Sequence, residues 1–170
     1  MNERMLLQES FSRIQERVHA VVDGLDSNQL GWAPAPGANP IAWLVWHLTR
    51  VQDDHVAEVA DTEQAWISAG WHSRFGLDLG PTETGYGHND ADVARVQVKQ
   101  GSLLLGYYDD VHARSLRFLE GLNGDALDRI VDTRFHPHVT LGVRLVSVVE
   151  DSIEHIGQAA YLRGLLERQQ

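Results

Sequence analysis

The chain has 170 residues, with 14 Lys and Arg against 24 Asp and Glu, so its formal charge is −10 with neutral histidines. This length predicts one domain, residues 1–170, whose core can bury about 70 % of the surface of the unfolded chain. The absence of cysteine excludes disulfides, thiolate metal sites and a cysteine nucleophile. The negative charge argues against nucleic-acid partners, and no apolar run is long enough to span a membrane. We therefore expect a soluble, cytoplasmic protein without a signal peptide.

Helical periodicity predicts four long helices. The first has apolar residues from Leu7 to Leu25 that are spaced alternately by four and three positions. The second extends from about residue 40 to residue 60, the third from about residue 102 to residue 122, and Thr140 caps the last. Four such helices with long crossovers and no central strand predict an all-α four-helix bundle.

Three connecting segments lie between these helices. Residues 67–90 combine glycines with aromatic residues and predict a long structureless loop that covers a pocket mouth, with a permanently packed segment that only shields helix ends as an equal alternative. Residues 90–98 predict a short helical lead-in, and residues 130–139 predict an edge ribbon or an extended loop. The aromatic side chains that we expect to face a ligand are Trp71, Phe75 or Tyr86.

A candidate metal site combines residues from two helices. Asp151 and His155 are spaced by four positions on the last helix, which places both side chains on one face. On the second helix, His47 has Leu44 and Val51 among its neighbours on the same face, which predicts an inward orientation. The alternatives are a chance spacing on an acidic helix and a hydrogen-bonded core histidine. Taken together, the three residues predict a reactive metal site with an open position, because a closed structural site recruits a fourth ligand.

The segments that carry both histidines resemble the DinB-like superfamily of four-helix-bundle metalloenzymes. Residues 43–49 (WLVWHLT) resemble its second helix, and residues 155–163 (HIGQAAYLR) resemble its last helix. Residues 70–77 (GWHSRFGL) and 84–87 (TGYG) are similar to members that depend on mycothiol or bacillithiol. The resemblance covers essentially the full chain and implies the same bundle with long crossover loops.

The resemblance also implies a ligand set. In the family, a divalent ion, usually zinc, is held at the positions of His47, Asp151 and His155; nickel, manganese or iron are alternatives. Many members have histidine where this chain has aspartate, and the thiol-dependent maleylpyruvate isomerase branch has glutamate. Because aspartate is shorter than glutamate, either the helices approach more closely or a water molecule lies between. Characterised relatives are thiol S-transferases or isomerases, which implies a low-molecular-weight thiol at the open metal position.

Six further residues are candidates for binding a substrate near this site. Arg50 lies one turn beyond the histidine of the second helix, where it could orient a ligand or support the metal ligands from behind, and an exposed ion pair with Asp54 is an equal alternative. Arg144 is placed to meet an anionic substrate, with a solvated surface position as the alternative. Tyr108 and His112 share a helix face that also suits core positions. The six candidates are Trp43, Arg50, Tyr108, His112, Arg144 and Gln158.

The sequence leaves three functions open. The first is a divalent-metal enzyme, an S-transferase or isomerase that uses a low-molecular-weight thiol to act on a small-molecule substrate. The second is a non-enzymatic ligand-binding or stress protein in which aspartate has weakened the metal site, and the third is a metal-dependent hydrolase. Apolar residues outside the buried stripe of the first helix also predict a homodimer.

Overall fold

The computed structural model of the chain describes residues 1–169, and its helices confirm the all-α fold. The long helices are α1 (Glu3–Val22), α3 (Ile41–Ala60), α7 (Gly101–Glu120) and α8 (Leu141–Glu167). The short helices are α2 (Ser27–Leu30), α4 (Ala65–Ser68), α5 (Trp71–Phe75) and α6 (Asp90–Val93). A 3₁₀ turn at Gly124–Asp128 precedes an antiparallel ribbon of β1 (Ile130–Asp132) and β2 (Val139–Thr140).

The helix ends follow local signals in the sequence. The hydroxyl of Thr140 accepts a hydrogen bond from the backbone N–H of Val143, so the predicted cap of α8 is confirmed. Helix α1 ends at Val22 rather than Leu25, because Gly24 takes a left-handed conformation with φ of 76° just beyond it. Among the described residues, we find no helix that is both long and apolar enough to cross a membrane.

The four long helices have an up-down-down-up arrangement. Arg163 near the end of α8 donates to the carbonyl of Val21 at the end of α1, so these two helices are parallel. Arg4 at the start of α1 donates to the carbonyl of Glu120 at the end of α7, so α7 is antiparallel to them. Helix α3 is also antiparallel to α8, because Arg144 near the start of α8 bonds Glu58 near the end of α3. Since α3 and α7 are parallel, the connection between them must return over about 30 Å, the length of a 20-residue helix.

Aromatic side chains pack much of this connection into the core. The rings of Trp66, Trp71 and Phe75 lie within 6 Å of the ring of Tyr107 on α7, centroid to centroid. Trp71 and Phe75 are therefore core residues, and the prediction that residues 67–90 form a structureless loop is wrong for the part that contains them. The sequence was misleading because glycines flank the five-residue helix that carries both rings.

Gly106 on α7 provides a test of this packing. A Cβ at Gly106 would lie 2.8 Å from Cη2 of Trp71, whereas a Cβ at Gly164 on α8 would meet nothing within 4 Å. Alanine favours a helix over glycine by about 1 kcal/mol, but overpacking a core costs about 1–3 kcal/mol. We expect urea unfolding to show Gly106→Ala destabilised and Gly164→Ala stabilised. Equal stabilisation of both variants would contradict the close packing of Trp71 on α7.

Candidate metal site

His47 is the candidate ligand on α3, and a backbone hydrogen bond orients its ring. Its Nδ1 bonds the carbonyl oxygen of Thr84 in the crossover. Because a carbonyl only accepts, Nδ1 carries the hydrogen and Nε2 keeps its lone pair. The residue is 3 % exposed, and the ring of Trp43 stacks on it with centroids 4.6 Å apart. The atom that His47 offers to a cation is therefore Nε2.

Asp151 and His155 lie one turn apart on α8. Nε2 of His155 is 3.6 Å from Oδ1 of Asp151, which is beyond hydrogen-bond length. Two ligand atoms on one tetrahedral zinc ion, each at about 2.1 Å, lie roughly 3.4 Å apart. Oδ2 of Asp151 is buried and has no hydrogen-bond partner within the described chain. The pair is thus spaced to share an ion, and a cation would compensate the unpaired oxygen.

The three candidate ligands converge from two antiparallel helices. One ligand atom from each residue lies within 4.8 Å of the other two. The rings of His47 and His155 have centroids 4.8 Å apart. The carboxylate of Asp151 belongs to this group in spite of its shorter side chain. Residues 1–169 contain no second group of three such side chains.

Burial controls the charges of these side chains. It lowers the pKa of His47 to about 4, so this imidazole is neutral at pH 7 and ready to act as a ligand. Burial also raises the pKa of Asp151; the charges of Glu154 and Glu150 add to this effect, and His155 opposes it. The lowered pKa of His47 leaves its lone pair free for a cation, whereas the raised pKa of Asp151 means that a proton competes with a cation for this carboxylate.

One segment of the crossover, residues 83–88, covers the ring of His47, and we call it the strap. Gly85 has φ of 102°, and a Cβ there would overlap Nδ1 of His47 and lie 3.2 Å from Cζ2 of Trp43. Tyr86 is 63 % exposed, and its ring meets the His47 ring edge-on with centroids 5.4 Å apart. Of the three aromatic residues expected at the pocket mouth, Tyr86 is the one that the structure brings to the ligands.

One further hydrogen bond ties the strap to α3, and another joins its two ends. Nε1 of Trp43 donates to Nδ1 of His88 over 3.2 Å. Nε2 of His88 then carries the hydrogen and donates to Oε2 of Glu83 over 3.2 Å. The His88 ring also stacks on Trp46, with centroids 5.8 Å apart. The strap is therefore attached to α3 through His88 at one end, and the backbone of Glu83 at the other end bonds Nε of Arg50 on the same helix.

Two of the six predicted substrate-binding residues lie at the site. Trp43 stacks on His47, and its ring also approaches that of His155 edge-on, with centroids 6.1 Å apart. Oε1 of Gln158 lies 3.3 Å from Nδ1 of His155, one turn along α8. Both side chains contact candidate ligands, so they are placed to orient them, and their contact with a substrate stays a prediction.

Tyr108 and His112 lie in the bundle core, which corrects their prediction as substrate-binding residues. The hydroxyl of Tyr108 donates to Oε1 of Gln52, and its ring is fully buried. The ring of His112 stacks on that of Tyr108, with centroids 6.3 Å apart. Both residues lie on the buried face of α7. Polar residues on such a face have the same spacing in the sequence as residues that line a pocket, so the sequence does not distinguish the two.

Arg50 is also buried, which corrects its prediction as a substrate-binding residue and the predicted ion pair with Asp54. Its Nη1 lies 3.6 Å from Oδ2 of Asp53, the residue before the predicted partner. Asp54 instead accepts a hydrogen bond from Nε2 of Gln64. Nε of Arg50 donates to the carbonyl of Glu83 over 3.0 Å. A charged residue on a helix does not reveal which neighbouring element covers it, so its burial could not be read from spacing.

Arg144 is buried as well, which corrects both the anion-binding and the solvated prediction. Its Nη1 donates to Glu58 over 2.9 Å and to Nδ1 of His55 over 2.8 Å, and its Nη2 donates to Asp132 over 2.9 Å. The N–H groups of the guanidinium are thus already engaged by protein acceptors. The side chain lies at the wall of a cavity of about 370 Å³. Arg134 and Arg144 both form ion pairs with Asp132, and they hold the pKa of this carboxyl group well below its usual range.

The sequence reasoning missed the contributions of Thr84, Glu83 and His88. The signal in the sequence is the TGYG segment at residues 84–87, which carries part of the family resemblance but does not reveal a contact with His47. Thr84 acts through its carbonyl oxygen, a group that every residue has, so its role depends on the path of the backbone and not on its side chain.

Fold and site together define a four-helix bundle with a His–Asp–His group of metal-ligand type between two facing helices. The chain belongs to the DinB superfamily, whose family model matches residues 10–159. It is similar to a crystal structure described as a conserved protein from Enterococcus faecalis, with 29 % identity, a TM-score of 0.89 and 96 % of each chain covered. No functionally curated protein matches the chain. These findings confirm the family that the two histidine-bearing helices predict.

Alanine substitutions at Gly85 and Gly87 test the role of the strap. Both glycines have positive φ, but only at Gly85 would a Cβ overlap His47, whereas at Gly87 it meets nothing within 4 Å. We expect Gly85→Ala to weaken the binding of a divalent ion at least about tenfold, because the carbonyl of Thr84 can no longer orient the ligand ring. Gly87→Ala should bind nearly as the wild type does. Chelator competition measures both, and equal affinities in the two variants would contradict the role of the strap.

Proposed function

We propose that this chain is a metal-dependent enzyme in which His47, Asp151 and His155 hold one divalent ion, with zinc as the first candidate. One observation carries the proposal: the three ligand atoms lie within 4.8 Å of one another, and the buried Oδ2 of Asp151 has no partner in the described chain. Two imidazoles and a carboxylate also suit nickel, manganese or iron. Three protein ligands leave a position open, which is typical of catalytic sites.

We further propose that a low-molecular-weight thiol uses this open position in an S-transfer or isomerisation of a small-molecule substrate. A divalent ion there lowers the pKa of a thiol or water beside it. The residues of the chain supply the remaining functions: Thr84 orients His47, Trp43 shields one face of its ring, and Tyr86 lies exposed at the edge of the group. Support for the thiol comes from residues 84–87, which carry the resemblance to thiol-dependent members and also contact the ligand ring.

The alternative enzyme is a metal-dependent hydrolase. It shares the three ligands and differs only in using water as the nucleophile. Its support is the same open position, which admits either nucleophile. The non-enzymatic alternative is a ligand-binding or stress protein with a weakened metal site, and a wild-type protein that stays near zero metal after reconstitution would favour it.

Elemental analysis tests the metal site. We expect protein purified without a histidine tag to contain about one divalent ion per chain, and His155→Ala to retain at least about tenfold less. His138→Ala is the matched control, because His138 lies in the loop of the ribbon and bonds only Phe135 in its own turn. The proposed site would be wrong if the wild type stayed near zero after reconstitution, or if His155→Ala retained the wild-type amount.

The same reconstituted protein distinguishes a thiol from water. Loaded with cobalt(II), it should develop a sulfur-to-cobalt charge-transfer absorption when a low-molecular-weight thiol is added, and His155→Ala should not. The hydrolase would be favoured if the spectrum of the cobalt-loaded protein did not change on addition of a thiol and the protein hydrolysed small esters or amides.

Partners, assembly and location stay predictions. A homodimer is supported by exposed apolar side chains on α1 and α8, among them Leu6, Val146 and Ile153. A small-molecule substrate without nucleic-acid or membrane partners is supported by the acidic charge of the chain and the small scale of the site. The cytoplasmic location likewise stays a prediction.

A further inference from the structure

A buried guanidinium lies one turn beyond the ligand on α3. Arg50 is fully buried, and its Nη1 donates to Oε1 of Gln64 over 2.8 Å and to the hydroxyl of Tyr107 over 3.1 Å. Asp53 supplies the nearest countercharge. Burying a guanidinium costs several kcal/mol unless its hydrogens are satisfied, and well-packed apolar residues often replace such pairs without loss of stability. Stability therefore does not by itself explain why a charge is placed here.

The remaining contact of Arg50 points to a role at the site. Its Nε donates to the carbonyl oxygen of Glu83 over 3.0 Å. The next carbonyl along the chain, that of Thr84, accepts the hydrogen of Nδ1 of His47. His47 and Arg50 lie three positions apart on the same face of α3, so one helix holds two successive carbonyls of the strap. Gly85 then follows directly against the ligand ring.

We propose that Arg50 is a positioning residue for His47: by holding the Glu83 carbonyl, it places the Thr84 carbonyl so that the hydrogen stays on Nδ1 of His47 and Nε2 remains bare. The consequence for metal binding rests on the proposed function. The tautomer itself does not, because it is a property of the metal-free protein.

Two substitutions isolate the contact. In Arg50→Gln, Nε2 stands the same number of bonds from Cα as Nε of arginine, so a donor toward Glu83 is kept. In Arg50→Met, a methyl group stands at that position. Both variants lose the charge and the contacts of the guanidinium end with Gln64, Tyr107 and Asp53. The difference between them that bears on the strap is therefore the donor toward Glu83.

The primary measurement is the tautomer of His47, read from ¹⁵N imidazole shifts in the metal-free protein. We expect the hydrogen on Nδ1 in the wild type and in Arg50→Gln, and a substantial population with the hydrogen on Nε2 in Arg50→Met. Zinc should bind about tenfold more weakly to Arg50→Met than to Arg50→Gln. The same tautomer in both variants would overturn the proposal.

Two more variants keep the test decisive. Arg50→Lys retains a positive charge near Asp53 but has a methylene at the Nε position, so it should shift the tautomer as Arg50→Met does, even if Arg50→Met fails to fold. Tyr107→Phe disrupts the same network without touching Glu83, and it should lower stability while leaving the tautomer of His47 unchanged. A wild-type tautomer in Arg50→Lys, or a shifted one in Tyr107→Phe, would contradict a specific role for Arg50.

The outcomes also separate this inference from the proposed function. A tautomer that depends on the donor at residue 50, in a wild-type protein that binds no zinc, would support the inference and refute the metal site. Zinc bound by His47, together with a tautomer that does not change with the residue at position 50, would support the metal site and refute the inference.

Discussion

The hydrogen bond from Nδ1 of His47 to the carbonyl of Thr84 connects the helical bundle to its long crossover, and the site depends on it. The bond fixes which nitrogen carries the hydrogen, so the other nitrogen faces Asp151 and His155 with its lone pair. A buried imidazole without such a bond could rotate or take the other tautomer, and it would then present an N–H toward Asp151 and His155. The helices bring the three candidate ligands together, and the strap fixes which nitrogen of His47 faces the other two.

The helix directions explain why a crossover segment is available for this purpose. Because α3 and α7 are parallel, the chain must return along the bundle between them, and it passes the start of α3 on its way. Asp53 anchors the first part of this path, since its carboxylate accepts the backbone N–H groups of Ala65 and Trp66 over 2.8 Å each. Tyr107 on α7 packs against the aromatic rings of the middle part of the path, and Arg50 and Trp43 hold its last part through the strap. The connection is therefore a packed layer of the structure, and it carries part of the site with it.

Periodicity in the sequence was enough to predict the long helices and the convergence of His47 with Asp151 and His155. These predictions depend on a 3.6-residue repeat and on a spacing of four, which act over one or two helical turns. The strap could not be predicted because Thr84 acts through its backbone and because the contact of Arg50 with Glu83 joins distant parts of the chain. The burial of Arg144 could not be predicted for the same reason, since its partners lie on α3 and in the ribbon. The predictions for Tyr108 and His112 were wrong for another reason. Residues on the buried face of a bundle helix and residues in the wall of a pocket have the same spacing in the sequence, and only the packed structure distinguishes them.

The central claim is that Nε2 of His47, Asp151 and His155 together bind one divalent ion. The most direct measurement is an anomalous-difference map from crystals of tag-free protein grown with zinc, recorded on both sides of the zinc absorption edge. The account predicts one peak per chain between α3 and α8, about 2.1 Å from an atom of each ligand, with Thr84 still bonded to Nδ1 of His47. A map without a peak there, or with zinc only at His136 and His138 in the ribbon loop, would contradict it.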